Sequence, residues 1–351
     1  MNNHIPLLDA YRFLAALSVA CFHYFGDAHS WHTRYNIKYG KIFEFPSLEF
    51  FSYGRFGVDL FFLISGFVIA LSAEGRSFSK FFASRVARIV PTYWLAIVIT
   101  SLIVVASSYE SISIRQIIAN VIFLQKPMQE NFIDGVYWSI VIEFRFYLLV
   151  AILIIFNIYK HYHWILLIWS ALCLSDAFGV NLGYCKQIFI TSYGYYFAGG
   201  GALYHLYRQK HTILALITLT LSFITAIYFS LQRHSELTPE TIIAITLTIY
   251  TLVALISTRQ FDNITWKILP TLGAITYPFY LLHLKVGNVI MRNNSLTDNG
   301  LMINLSTIAL MIFISWLINI YFENTVNTKL RVAIEKSLIK LATFFKQPIA
   351  Y

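Results

Sequence analysis

Apolar residues run along this chain in blocks of about twenty, separated by short polar stretches, and that rhythm sets the expected architecture. A bilayer core of about 30 Å is crossed by about 20 mostly apolar residues in helical form, because lipid offers no partner to an open backbone N–H or C=O. Ten segments meet the pattern: residues 6–26, 56–74, 90–109, 137–159, 164–175, 187–207, 212–231, 240–258, 268–290 and 300–322, the fifth of them short. Residues 108–127 are apolar every third or fourth position but carry Glu110 and Arg115, the pattern of an interfacial or re-entrant helix. The expectation is an all-α integral membrane fold of about ten transmembrane helices. One domain would span residues 1–322, followed by a basic amphipathic tail, 323–351, lying on the membrane surface.

Charge orients this arrangement. The loops 75–89, 160–163, 208–211 and 259–267 and the tail hold fourteen of the 26 Lys and Arg residues, against nine on the opposite side. By the positive-inside rule both termini then face the cytoplasm. Arg12 interrupts the first apolar run and no small-residue cleavage site follows, so a retained helix is expected and not a removable signal peptide. Bulk composition agrees: 58% of residues are apolar and 12% charged, where a soluble domain averages about 45–50% and about 25%. The net charge of +9 is scattered between apolar runs, which argues against a nucleic-acid face. Three cysteines without a CxxC pair indicate neither a metal site nor a disulfide framework.

Ionisable side chains inside such segments are costly and mark candidate chemistry. Arg12 and His23 are eleven apart, close to three helical turns, so they share a face about 16 Å apart with Ala16 and Val19 between them, small enough to let something slender pass or pack. Asp59 opens the second segment, in which Ser65 and Gly66 form a small pair; without a GxSxG turn, close helix packing explains Ser65 better than nucleophilic attack. Arg85 and Arg88 project to one side just before Pro91, where they either grip phosphates or anchor the loop at the surface. Glu143 lies two turns into the fourth segment, between Trp138 and Tyr147, and needs a partner or a proton. In the ninth, Pro278 frees a backbone carbonyl and His283 follows. Helical rise places His23, His283 and Glu143 at a similar depth, in the outer half.

These residues fall in an order that resembles the membrane-bound acyltransferase family 3, which includes bacterial O-antigen and exopolysaccharide O-acetyltransferases. The Arg, ten residues, His signature falls on Arg12 and His23, the GVDLFF…SGF block on residues 57–67, and the RxxRIxP block on Arg85, Arg88 and Pro91. The WS…E…Y block falls on Trp138, Ser139, Glu143 and Tyr147, and the late histidine block on Thr276, Tyr277, Tyr280 and His283. Thr276 stands where serine is common, Lys285 where proline is usual, and the closing segment around Glu323 lacks its usual proline. The resemblance implies transfer of an acyl group, most often acetyl from acetyl-CoA, to a sugar hydroxyl of a lipid-linked or surface glycan in the bacterial cytoplasmic membrane, with no metal. Arg12, Arg85 and Arg88 would bind the donor, His23 would act as general base or carry the acyl group briefly, and Glu143 would orient it. Asp59, Tyr277 and His283 would contact the acceptor, and the aromatic loop 27–55, with Trp31, Tyr35 and Tyr39, would stack on sugar or sit in an aromatic belt. Beyond acceptor and lipids, further copies of the chain or a partner protein would complete the assembly. The rival reading is a polytopic transporter or flippase that uses the same charges without covalent chemistry. An acyltransferase of the unrelated membrane family also uses an intramembrane histidine, but the donor-arginine helix at the N-terminus argues against it, while a non-catalytic accessory subunit is compatible with the same pattern.

Overall fold

The computed structural model describes residues 5–26, 48–261, 264, 266–293 and 299–346, and among these there is no β-strand. Trp31, Tyr35 and Tyr39 therefore lie outside the described residues. Thirteen α-helices of eight residues or more are described: α1 Pro6–Cys21, α2 Gly57–Ala73, α3 Phe78–Ala106, α4 Ile114–Val121, α5 Tyr137–Ile155, α6 Tyr162–Ala177, α7 Thr191–Tyr207, α8 Thr212–Arg233, α9 Pro239–Ser257, α10 Ile268–Leu282, α11 Lys285–Asn293, α12 Gly300–Ile318 and α13 Asn324–Lys346. Six helical stretches, Glu49–Ala73, Phe78–Ala106, Tyr137–Ile155, Thr212–Arg233, Pro239–Ser257 and Gly300–Leu341, are long and apolar enough to cross a bilayer. The chain is a multi-pass membrane protein in this sense, while α1, α6, α7 and α10 are shorter, at 15 to 17 residues.

Four boundaries depart from the hydropathy pattern, each for a physical reason. Helix α3 begins at Phe78, so the predicted loop 75–89 is mostly helical and carries Arg85 and Arg88 on its first turns, with Pro91 inside it. A proline is tolerated there because neighbouring groups in a membrane bundle re-satisfy the freed backbone. The segment 187–207 becomes a long helix only at Thr191, since Ile190 takes a left-handed backbone (φ +52°) and ends the preceding single turn. The ninth segment divides into α10 and α11, with His283 and Leu284 in the break. The C-terminal tail is a helix that continues from α12 through a π turn, Asn319–Glu323. As expected from its periodicity, 108–127 yields a short helix, α4, capped by the Ser113 hydroxyl on the Gln116 N–H.

The chain divides into two compact units. The first comprises residues 1–12, 58–82 and 142–269. Within it α7 packs against α6, α8 and α9, and its sequence GYYFAGGGALY makes close approach the organising feature. A Cβ at Gly66 of α2 would stand 2.2 Å from the Phe197 carbonyl oxygen, and one at Gly200 of α7 would stand 2.0 Å from that of Leu63. The two backbones thus touch through paired glycines, the usual device where lipid supplies no hydrophobic drive. Around that contact the rings of Phe146 and Phe197 stack at 4.3 Å, with Phe62 5.0 Å from Phe197.

The second unit comprises residues 13–57, 83–141 and 270–351. Here the turn Glu49–Phe56 packs along α1: a Cβ at Gly54 would stand 2.0 Å from the Ser18 carbonyl oxygen, and one at Gly57 would stand 2.5 Å from that of Ala15. Ala16 and Val19 are buried, at 0% and 2% exposure, so the small residues between Arg12 and His23 serve packing and line no open passage. Tyr24, Phe25, Met291, Ile303 and Ile308 form a tight apolar cluster beside them.

Replacing Gly66 or Gly200 by valine forces two backbones apart. Overpacking of this kind costs about 1–3 kcal/mol. The thermal midpoint of detergent-solubilised protein, read by fluorescence-detected size exclusion, should fall clearly for either variant; an unchanged midpoint would show that the close approach is dispensable.

Candidate active site

Arg12 and His23 lie on one uninterrupted helical stretch, but His23 sits in a π turn, Phe22–Gly26, that follows α1. Such turns widen the helix by one residue and recur at functional sites. The partly buried His23 ring lies 5.5 Å, centroid to centroid, from that of His283 and 4.8 Å from Phe22. The two histidines, 260 positions apart in sequence, therefore form one cluster.

His283 is wholly buried. Its Nδ1 is 2.7 Å from the Tyr280 carbonyl oxygen. A carbonyl can only accept, so Nδ1 carries the proton and the neutral ring presents a lone pair at Nε2. That Nε2 has no hydrogen-bond partner among the described residues. Tyr280 is itself fixed, its phenol sharing a hydrogen bond of 2.8 Å with the Ser139 hydroxyl. Ser139, Tyr280, His283 and His23 thus make a connected set in which one buried basic nitrogen is left to accept a proton.

The break after His283 keeps this set in place. In a continuous helix the His283 carbonyl would accept from the Gly287 N–H, and the Lys285 N–H would donate to the carbonyl of Leu281. Instead the Tyr24 hydroxyl donates to the His283 carbonyl. The Lys285 N–H donates to Asp134 Oδ2 at 2.8 Å, and Asp134 Oδ1 accepts from Val136 N–H at 3.1 Å. Asp134 is fully buried and so clamps the starts of α5 and α11 together. Tyr24 is held in turn by Asn304, whose amide donates to its carbonyl at 2.7 Å. Lys285, which departs from the expected proline, is the first residue of α11, the position where a missing N–H is best tolerated. With lysine there, the N–H exists and Asp134 takes it.

The other candidate residues have separate surroundings. Glu143, in the first unit, accepts at Oε1 from the Ser65 hydroxyl (2.7 Å) and the Tyr147 phenol (2.6 Å). Ser65 is thus a carboxylate partner, and its neighbour Gly66 does the packing. Asp59, also in the first unit, is buried beside Tyr196 and Arg233. Arg233 donates to the Tyr195 phenol at 3.1 Å, with its guanidinium 4.1 Å from the Tyr193 ring centre. In the second unit, Arg85 is buried and Arg88 half-buried on α3, three residues apart on one side of the helix. Tyr277 donates to the Ile89 carbonyl at 3.0 Å. Thr92 donates to Glu323 Oε1 at 2.7 Å, and Asn319 to its other oxygen at 3.0 Å.

Similarity to known proteins now separates the chemical readings that this geometry allows. An acyltransferase domain model matches residues 5–320, nearly the whole chain. The chain belongs to the acyltransferase 3 family. The "Exopolysaccharide production protein ExoZ" of Rhizobium meliloti (strain 1021) is 50% identical over 48 residues, 13% of this chain and 15% of that protein. The "Putative acetyltransferase ORF330" of Acidianus two-tailed virus is 24% identical over 153 residues, 43% of this chain and 42% of that protein. The chain thus matches less than half the length of either curated relative. No solved structure matches.

Within this acyltransferase 3 chain, Asp134, Ser139, Tyr24 and Asn304 are the site-building residues that neither spacing nor charge singled out as a group. Asp134 reads as a loop acid before Gly135 until the break after His283 is known. Asp134→Ala should leave two backbone N–H groups without partners, at a cost of about 1–3 kcal/mol each. In a Lys285→Pro background one of those N–H groups is already gone, so the same substitution should cost about half as much. A double-mutant cycle on thermal unfolding checks this, and fully additive effects would rule the clamp out.

Proposed function

We propose that this protein transfers an acyl group, acetyl in the simplest case, from acyl-CoA to a hydroxyl of a cell-surface or lipid-linked glycan. The observation that carries the reading is the His23–His283 pair, in which a buried imidazole nitrogen with a lone pair stands beside the histidine of the Arg12/His23 signature. A sugar hydroxyl is a weak nucleophile until its proton is accepted, and a neutral imidazole with a free nitrogen is the group that accepts it near neutral pH. Membership of the acyltransferase 3 family supports acyl transfer over transport. The relatives' names, exopolysaccharide production and acetyltransferase, support a glycan acceptor and an acetyl donor here.

In the proposed reaction His23 takes the hydroxyl proton as the sugar oxygen attacks the thioester carbonyl. The C–O bond forms, the C–S bond breaks, and the proton passes to the departing thiolate. His283, held in one tautomer by the Tyr280 carbonyl, keeps the neighbouring imidazole position fixed and offers an acceptor for the hydroxyl. Arg12, Arg85 and Arg88 bind the donor phosphates, as planar forked donors suited to that task. Glu143, directed by Ser65 and Tyr147, supplies the orienting carboxylate, and Asp59 and Tyr277 serve the acceptor side. Around this chemistry the full arrangement is ten spans with both termini cytoplasmic, in a bacterial inner membrane. The shorter helices α1, α6, α7 and α10 complete the count.

Two measurements test this. Mass spectrometry of surface glycan should show acylation with the wild-type gene and its loss, by at least about a hundredfold as for removal of a general base, with His23→Ala that inserts normally. Intact acylation in that variant would overturn the mechanism. Arg85→Ala/Arg88→Ala should weaken acetyl-CoA binding by about tenfold or more while leaving insertion unchanged. Equal affinity would return these arginines to surface anchoring.

A further inference from the structure

The first unit contains a second concentration of chemistry that the acyl-transfer reading does not use. The turn after α2, the turn before α6 and the end of α7 enclose a cavity of about 510 Å³, within the range of small-molecule sites. Three histidines line it. His163 and His211 stack at 3.7 Å, and His205 lies 6.1 and 5.6 Å from them. His211 reaches this position from a left-handed backbone (φ +52°) just before α8.

We propose that this cavity binds the phosphoryl group of a phosphorylated organic molecule. The hydrogen-bond census is the first ground. Among the described residues, His205, 8% exposed, has no hydrogen-bond partner at either ring nitrogen, and Tyr162, 3% exposed, has none for its hydroxyl. Buried polar groups are rarely left unanswered in native proteins, so the one N–H of a neutral His205 ring and the Tyr162 hydroxyl call for a bound acceptor. Charge is the second ground. Arg76 and Lys160 stand exposed at the rim with the histidines behind them. The cavity's carboxylate, Glu74, is already filled by the Tyr204 hydroxyl, by Lys210 at 3.0 Å and by Arg208 at 3.1 Å. Burial alone would raise the Glu74 carboxyl, but these three partners hold it below its ordinary value, so it stays ionised and occupied. With Glu74 occupied, two rim cations and the unanswered donors remain, which suits an anion with several oxygens. A metal is the poorer fit, since no trio of His, Cys, Asp or Glu among the described residues is placed to hold one. Volume is the third ground, because the cavity exceeds what a bare phosphate fills, so the phosphoryl group carries an organic remainder.

Such a group arrives either on a soluble phosphate ester or on the headgroup of an anionic lipid. The full-length protein in phosphatidylcholine nanodiscs is titrated calorimetrically with inorganic phosphate and with glycerol 3-phosphate. In parallel, native mass spectrometry counts phosphatidic acid retained from mixed nanodiscs. Arg76→Ala/Lys160→Ala changes two exposed side chains outside the proposed catalytic machinery, and Tyr162→Phe removes only the unanswered hydroxyl. About tenfold weaker binding is expected for both variants. Loss confined to the titrations identifies a soluble ester, and loss confined to the lipid count identifies a headgroup. If both variants match wild type in both arms, the cavity is no phosphate site. The readout is binding alone, so its failure leaves the acyl-transfer reading untouched, and the reverse holds too.

Discussion

A broken helix inside a membrane protein must find partners for the backbone groups it frees, and the break between α10 and α11 is where this constraint shapes the candidate site. In hydrocarbon each unanswered N–H or C=O costs several kcal/mol. The chain meets that cost with the buried Asp134 carboxylate on one side and the Tyr24 phenol on the other. Tyr24 is the residue after His23, and the carbonyl it caps belongs to His283. Satisfying the break therefore also brings the two imidazoles together, so the positions of the reactive rings follow from backbone hydrogen bonding as much as from their own contacts.

The first unit solves a related problem differently. There the contact between α2 and α7 is made by paired glycines and stacked rings, because Gly66 and Gly200 let two backbones meet without polar glue. Polar side chains are then released for local pairing, as with Ser65, Tyr147 and Glu143. Removing a single hydroxyl from this trio would leave the carboxylate with one partner, whereas removing a glycine would move a whole helix.

Much of this was legible in the sequence, and the parts that were not share a cause. Hydropathy located the helical segments because each has to hide its own backbone, and the eleven-residue spacing singled out Arg12 and His23. Hydropathy also read His283 as a residue within a span, because Leu281, Leu282 and Leu284 keep the run apolar straight through the break. Pro278 drew attention five residues too early, since a proline inside a membrane helix is tolerated whereas the true interruption has no proline at all. Pro91 misled in the same way: it looked like a helix start and lies inside α3, so Arg85 and Arg88 sit on a helix and not in a loop. Asp134 and Asn304 were invisible because their partners are backbone groups, which no side-chain pattern encodes. Ala16 and Val19 were recognised as small, but smallness alone does not say whether a gap is left open or filled, and here Gly54 and Gly57 fill it.

The contrast between the two histidine clusters bears on how each would be used. His283 has one nitrogen engaged by a carbonyl and one bare, which fixes its tautomer and suits accepting a hydrogen bond from a hydroxyl at a defined atom. His205 has neither nitrogen hydrogen-bonded among the described residues, so no hydrogen bond there selects its tautomer. A residue that must present one acceptor atom to a hydroxyl beside the base His23 needs the first arrangement. A site whose ligand supplies both acceptor and charge tolerates the second, since the bound anion itself decides which nitrogen carries the proton. The same residue type thus points to chemistry in one unit and to recognition in the other, and the difference lies in a single hydrogen bond to a backbone carbonyl.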